Sequence, residues 1–168
     1  MLDLGPVDRI TVGAVGEPGD RTFYLQARSG DSLVTVVIEK QQAQLLAATV
    51  VDMLSRLGAD LTPTDEEMNL EQPILPEWRV GRLAVGYEEE RDLVMLEAEE
   101  LVSEEEGEEE EGSGVRLWAT PEQMLALARH STAVAAAGRP TCQFCGNPID
   151  PEGHLCVAMN GHGEFGEA

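Results

Sequence analysis

The residues whose types and spacing could do chemistry lie near the C-terminus of the 168-residue chain. All three cysteines are there, and one of the three histidines lies just before the last of them. Cys142 and Cys145 are separated by two residues and followed by Gly146, a spacing that lets two thiolates bind one ion from a tight turn. His154 and Cys156 are two positions apart, so on a strand both side chains face the same side. The sequence therefore predicts a miniature zinc ribbon with four ligands: Cys142, Cys145, His154 and Cys156.

The predicted ligand set favours a structural zinc ion over a catalytic one. Three thiolates and one imidazole fill a tetrahedral site, which leaves no position for water or substrate. A module of about two dozen residues buries too little apolar surface to fold alone, so the metal would stabilise it. Alternatives stay open, because Cys142 and Cys145 could form a redox pair or remain inert thiols, and His162 could replace His154 as the fourth ligand.

The charge of the chain is strongly negative and unevenly distributed. There are 32 acidic and 11 basic residues, a net charge of −21, and fourteen of the acidic residues lie between positions 88 and 111. This excess repels phosphates and excludes nucleic acid as the expected partner. The Glu-rich stretch at about 103–114 predicts a solvated, disordered loop. It is interpreted either as a solubilising insertion or as a contact surface for a basic partner or divalent cations.

Membrane and export signals are not evident in the sequence. No run approaches the eighteen consecutive apolar residues of a membrane span, and the first residues lack the basic and apolar regions of a signal peptide. We therefore expect a cytoplasmic protein with reduced thiols.

An internal repeat organises the rest of the chain. Two Val- and Leu-rich segments flank a turn, a third apolar segment leads into a helical pattern, and the same order then returns. The predicted strands are 10–16, 21–27 and 32–38 in the first copy, and 79–86, 91–98 and 115–118 in the second. The copies span about 7–58 and 77–138. The residues between them, 59–76, form a linker with room for one helical turn.

Each copy ends in an amphipathic helix. In the first helix, apolar residues recur at three- and four-residue steps until Gly58, a residue typical of a helix C-terminus. The second helix has Thr120 as N-cap, Pro121 at its first position and Gln123 closing a capping box. The order β-β-β-α therefore occurs twice.

This element order indicates an α+β fold. A three-stranded unit alone would expose one apolar face, so the two copies are expected to pack as one domain with pseudo-twofold symmetry. The duplicated α+β domain is predicted to cover residues 1–139, and the zinc-ribbon-like module with its tail residues 140–168. The acidic loop falls within the second copy, between its second and third strands.

Catalytic motifs are not found elsewhere in the sequence. There is no phosphate-binding loop, nucleophile elbow or zinc-protease motif. His130 lies near the end of the second helix, where its charge would complement the helix dipole. Arginines near the strand ends could form an anion-binding cluster, although a sheet surface decorated with arginines is the simpler interpretation. These arginines are Arg9, Arg21, Arg28, Arg79 and Arg82.

Five segments of the sequence carry a family resemblance. They are residues 21–27 (Arg-Thr-Phe-Tyr-Leu-Gln-Ala), Glu39-Lys40, Cys142-x-x-Cys145-Gly146, Asp150-Pro-Glu-Gly-His154-x-Cys156 and Asn160-Gly161. Together they resemble an uncharacterised bacterial family catalogued as domain of unknown function 3090. The resemblance implies no established activity. In the family a tyrosine often stands at the position of His162, which favours His154 as the zinc ligand.

These observations lead to one expected function and one alternative. We expect a zinc-binding protein without catalytic activity, an adaptor or regulatory protein whose zinc module or acidic loop contacts an unidentified protein partner. The alternative is an enzyme or small-anion-binding protein that uses arginines at the interface between the copies. A deep pocket there containing Arg21, Arg28 or Arg82 would favour the alternative.

Overall fold

Alternating apolar residues form two antiparallel hairpin systems, and two amphipathic segments form helices that pack against them. A computed structural model of the chain describes residues 1–17, 19–58, 60–65, 67–102 and 112–137. The elements are β1 (Leu2–Leu4), β2 (Arg9–Glu17), β3 (Asp20–Ser29), β4 (Ser32–Ile38), α1 (Lys40–Arg56), β5 (Val80–Glu88), β6 (Leu93–Glu100), β7 (Gly114–Ala119) and α2 (Pro121–Ala136). The fold is α+β, as the sequence predicts.

The strands form two sheets. The three-stranded sheet has the order β2-β3-β4 and the four-stranded sheet the order β1-β7-β6-β5. Consecutive strands within each sheet are antiparallel, whereas β1 pairs with β7 in parallel. Residues 77–79 run beside β4, where Val37 N donates to Trp78 O at 2.9 Å and Val37 forms a parallel bridge with Arg79.

One hydrophobic core is shared by both sheets and both helices. Its centre contains side chains from matching rows of the sheets, Val12–Leu25–Val36 in one and Leu96–Leu117 in the other, all at most 1% exposed. The helices add apolar residues from their inward faces to the same cluster. The face of each sheet that contributes to this core is called its inner face below, and the opposite face its outer face.

The two helices begin with the same polar contact. In α1 the side chain of Gln42 accepts from Glu39 N at 2.7 Å and donates to Val80 O at 3.2 Å. In α2 the side chain of Gln123 accepts from Thr120 N at 2.8 Å and donates to Val7 O at 3.1 Å. Each glutamine therefore closes a capping box and also joins its helix to the backbone just before, or at the start of, a strand in the other sheet.

The linker lies across the outer face of the three-stranded sheet. Thr11 Oγ1 donates to Met68 O at 2.6 Å, Gln26 exchanges hydrogen bonds with the backbone of Glu71, and Glu77 N donates to Thr35 O at 2.9 Å. Thr11, Gln26 and Thr35 are only 2–3% exposed as a result. The polar outer face of this sheet is thus buried by hydrogen bonding to a chain segment without regular secondary structure.

Three details differ from the sequence-based predictions. Strand β1 was not predicted, because three residues give no periodic signal and its partner β7 is more than one hundred positions away. The hairpin turn of the second copy lies at 89–92 rather than 87–90, since Asp92 adopts a left-handed φ of 54° that a turn requires. The described linker residues contain no helical turn, because their backbone groups are instead bonded to the sheet.

The remaining predicted elements are present. Six predicted strands and both helices occur at the expected places, and Thr120, Pro121 and Gln123 have the predicted capping roles. Gly58 follows α1 with a φ of 68°, as expected for a C-cap glycine. Of the predicted acidic loop, Gly114 begins β7, Gly112 and Ser113 precede it, and 103–111 lie outside the described residues. No helix in the described ranges is long and apolar enough to cross a bilayer.

Replacing the buried glutamine of α2 is expected to destabilise the domain. Gln123 is only 7% exposed. In Gln123→Ala, Val7 O and Thr120 N would lose this hydrogen-bond partner at a site that water does not reach easily. We expect the free energy of unfolding to fall by about 1–3 kcal/mol. Gln42→Ala should cost less, about 1 kcal/mol, because Gln42 is half-buried and water can replace its contacts. Urea unfolding measures both, with the exposed Gln44→Ala as control. Equal losses for all three variants would contradict the assignment.

Candidate functional site

The predicted zinc ligands lie outside the described residues. Cys142, Cys145, His154 and Cys156 all follow Ala137, the last residue described, and the domain boundary predicted at 139/140 lies there too. Within the described ranges no group of three or more His, Cys, Asp or Glu side chains is arranged to hold a metal ion. The zinc ribbon therefore stays a prediction.

Two of the five arginines singled out in the sequence are brought together by one carboxylate. Arg9 and Arg28 lie directly opposite each other on β2 and β3, a placement in which two cations repel. Glu71 of the linker lies between them and accepts from Arg9 at 3.0 Å and from Arg28 Nε at 2.9 and 3.0 Å. The hydrogen bond from Arg28 lowers the pKa of Glu71, and contact with Arg9 lowers it further. This cluster fastens the linker to the sheet.

Two further arginines are also paired with carboxylates. Arg79 forms an ion pair with Glu39, the N-cap residue of α1. Arg82 lies 3.5 Å from Glu99 across the β5–β6 pair, and it borders a cavity of about 310 Å³ between α1 and β5. With a side-chain exposure of 73%, Arg82 contributes little energy through this pair.

The fifth arginine lines a cleft between elements of the two predicted copies. A cavity of about 420 Å³ lies between the β2–β3 hairpin of the first copy, the linker and the C-terminal half of α2. Its walls are largely apolar, formed in part by Ala14, Leu70 and Val134. Four polar side chains line it: Arg21, Asn69, Gln72 and His130.

Arg21 donates a hydrogen bond to the end of α2, and its guanidinium has further N–H groups that could donate to a ligand. Its Nη2 donates to Val134 O in the last turn of the helix at 3.1 Å, and its guanidinium carbon lies 5.0 Å from the ring centroid of Phe23. Among the described residues it has no ion-pair partner. Arg21 therefore complements the helix dipole at α2, the role that the sequence suggested for His130.

His130 differs from the expectation of a charged helix-end histidine. Burial against the cleft lowers its pKa, since desolvation disfavours the imidazolium. The neutral imidazole is therefore the favoured form at neutral pH, and it offers one donor and one acceptor nitrogen to the cleft. Nothing in the spacing of residues 13–21, 68–74 and 130–137 would have indicated this cleft, because it depends on how the linker crosses the sheet.

The outward side of the helices carries a shallow apolar groove. A cavity of about 690 Å³ lies between α1 and α2, lined by small and apolar residues including Ala48, Val51 and Ala135. Val51, which lines this groove, is 48% exposed. Leu45, 68% exposed, lies on another side of α1, where it lines the cavity between α1 and β5.

The fold and charge define an acidic α+β protein with a cysteine- and histidine-containing C-terminal segment. The chain belongs to the family described as protein of unknown function (DUF3090), which it matches over residues 2–156. The matched range ends at the last predicted zinc ligand, Cys156, so it includes all four. No curated protein and no solved structure matches the chain.

The Glu71 cluster predicts a stability loss in acid. Glu71 has a lowered pKa in the folded state, so its contribution is complete above its unfolded pKa and is lost as the pH falls through the folded value. We expect Glu71→Gln to lower the free energy of unfolding by about 1 kcal/mol at neutral pH, because the side chains are a quarter to a third exposed and screened by solvent.

Urea unfolding across the acidic range measures this effect. The difference between wild type and Glu71→Gln should shrink as the pH falls. The matched control is Glu67→Gln, since Glu67 is exposed and its carboxylate accepts a hydrogen bond from Asn69, a neutral side chain. An identical acid response of wild type and Glu71→Gln would refute the cluster's role.

Proposed function

We propose that this protein is a cytoplasmic, non-catalytic zinc-binding adaptor or regulatory protein. The observation that carries the proposal is the pattern Cys142-x-x-Cys145 followed by His154-x-Cys156, which supplies four ligands within fifteen positions. The pattern lies inside the range that matches the family. A closed Cys3His site has no open position for water, so the zinc ion would be structural.

The zinc ion would stabilise the C-terminal segment. Residues 138–168 are 31 residues with few large apolar side chains, too few to form a core of their own. Binding of the ion couples directly to folding in modules of this size. The module would then present a rigid surface through which an adaptor could contact a protein partner.

The acidic loop is the second proposed contact surface. Seven glutamates lie between positions 104 and 111. Both ends of the loop are held together, because Glu100 N donates to Ser113 O at 2.8 Å and Ser113 N donates to Glu100 Oε1 at 2.9 Å. A loop of this charge, carried at the end of the β6–β7 hairpin, fits a basic partner.

Metal analysis of untagged protein tests the zinc site. We expect one zinc per chain, and three thiols that titrate only after chelation, because all three cysteines would be ligands. Cys145→Ser and His154→Ala should lose most of the bound zinc. His162→Ala is the matched control and should keep it.

Two results would reject the zinc proposal. The first is substoichiometric metal in protein purified without chelator. The second is two thiols lost to a reducible disulfide, which would assign Cys142 and Cys145 to redox chemistry. Zinc loss in His162→Ala but not in His154→Ala would show that His162, not His154, is the fourth zinc ligand.

We propose further that the α+β domain arose by duplication. Strand pairing aligns Val12–Leu25–Val36 with Val85–Leu96–Leu117. The same alignment matches Val7 with Val80, and the helix starts match Gln42 with Gln123. The two glutamine contacts, Gln42 to Val80 O and Gln123 to Val7 O, therefore correspond to each other. Each half therefore makes the same contact to the other half, as expected for two copies related by a pseudo-twofold axis.

The edges of the sheets support the same relation. The segment before β5, residues 77–79, runs parallel to β4. The segment before β2, strand β1, runs parallel to β7. In each case the chain that leads into the first strand of one copy is added to the third strand of the other. The zinc-ribbon-like module would follow this pair of copies.

Small-anion binding, or an enzyme that uses it, is the second candidate function. The observation that favours it is Arg21, which lines the cleft between the predicted copies and has no carboxylate partner among the described residues. A guanidinium beside a half-buried imidazole suits a carboxylate or phosphate group. The net charge of −21 opposes this function, because it repels anions from the protein.

Titration with inorganic phosphate and with acetate, followed by amide NMR, tests the second candidate. Binding should shift the amide signals of Gly13 and Val15, which line the cleft, and Arg21→Ala should abolish these shifts. Arg129→Ala is the control, because Arg129 is an exposed cation of α2, the helix that forms one wall of the cleft. Shifts that survive in Arg21→Ala, or none in wild type at tens of millimolar anion, would reject an anion site here.

A further inference from the structure

A short sequence pattern in the linker recurs near the C-terminus. Residues 72–77 are Gln-Pro-Ile-Leu-Pro-Glu, and residues 147–152 are Asn-Pro-Ile-Asp-Pro-Glu. Both prolines, the isoleucine and the glutamate are identical, and the first position is a side-chain amide in each. The first pattern follows α1 and the second follows α2. The repeat therefore continues past the helices, and a second, partial linker would begin after α2.

The first linker shows what such a segment does in this fold. The residues leading into the pattern cross the outer face of the three-stranded sheet from β2 to β4. Leu70 lies over Gly13, where an added Cβ would come within 2.5 Å of Leu70 Cγ. The glycine is needed there because no side chain fits between the strand and the linker.

The four-stranded sheet has the corresponding face, and no described chain segment crosses it. Gly86 on β5 corresponds to Gly13, and among the described residues only Met95 Cε, at 3.5 Å, lies within 4 Å of its Cβ position. The positions that correspond to the buried Thr11, Gln26 and Thr35 are half-buried: Ala84, Glu97 and Arg116. The outer face is thus crossed by the linker in the three-stranded sheet, and no described chain segment crosses it in the four-stranded sheet.

We infer that residues 138–152 dock across the outer face of β5-β6-β7, as the first linker docks across β2-β3-β4. This inference rests on the proposed duplication and does not depend on zinc. Asn147 follows the end of α2 by 11 positions, and Gln72 follows the end of α1 by 16. Eleven residues reach at most about 36 Å when fully extended. A zinc-binding turn at Cys142–Gly146 would use part of this length, and the rest would have to reach the sheet face.

The equivalence should end where the first linker joins β4. In the three-stranded sheet, residues 77–79 run beside that edge strand. In the four-stranded sheet the same place beside β7 is held by β1. The C-terminal segment can therefore cross the face but cannot join the sheet at β7. This leaves residues after Glu152, with His154 and Cys156, outside the sheet.

Site-specific photocrosslinking in the full-length chain tests the docking. p-Benzoylphenylalanine is placed at Ala84 in one variant and at Met95 in a second, because both lie on the outer face of the four-stranded sheet and are half-exposed. We expect intramolecular crosslinks from each position to peptides within residues 138–152, identified by mass spectrometry. The control position is Leu45, an exposed residue of α1 on the helical layer.

Each other outcome overturns the inference. Crosslinks from Leu45 instead of Ala84 and Met95 would place the segment on the helices. Crosslinks between chains, recognised by mixing isotope-labelled and unlabelled protein, would assign the face to a second copy. No crosslink to 138–152 from either position would remove the docking altogether. Zinc content is measured on the same samples, which separates the two proposals. Protein with one zinc per chain but no crosslink would reject the docking alone. Protein with the crosslinks but no zinc would reject the metal site alone.

Discussion

The constraint on which the structure depends is that each sheet has one apolar face and too few strands to bury it alone. The solution is a single core to which both inner faces and both helices contribute. The two halves are also joined by hydrogen bonds between them, from Gln42 to Val80 O and from Gln123 to Val7 O. Neither half buries the apolar face of its sheet without the other, so we expect the two halves to fold together.

A second requirement concerns the outer faces, which are polar but not all exposed. In the three-stranded sheet, threonine and glutamine side chains take backbone partners from the linker, and Glu71 neutralises the facing pair Arg9 and Arg28. In the four-stranded sheet, Arg116 is paired with Glu97 and Arg91 lies over Trp118 at 4.3 Å. The arginines thus serve mainly to organise sheet faces. Arg21 differs from them because it pairs with none of the described carboxylates and instead contacts Val134 O and the ring of Phe23.

Local patterns predicted most of the fold, and long-range contacts account for what they did not. Strand periodicity and the capping residues of α2 act within a few positions, so Thr120, Pro121 and Gln123 could be assigned from sequence. Strand β1 and the linker depend on partners far along the chain, and Glu71 is 43 positions from Arg28. The cleft with Arg21 and His130 exists only because these long-range contacts bring the linker and α2 together, which no spacing could indicate.

The charge distribution limits what the domain can bind. Most described arginines are already paired, so a surface of this net charge offers few cations to an anionic ligand. A ligand of Arg21 would have to compete with the helix end that Arg21 caps. A basic protein surface or a metal cation meets no such opposition. Electrostatics therefore favours a cation or a basic protein surface over a small anion as a ligand of this chain.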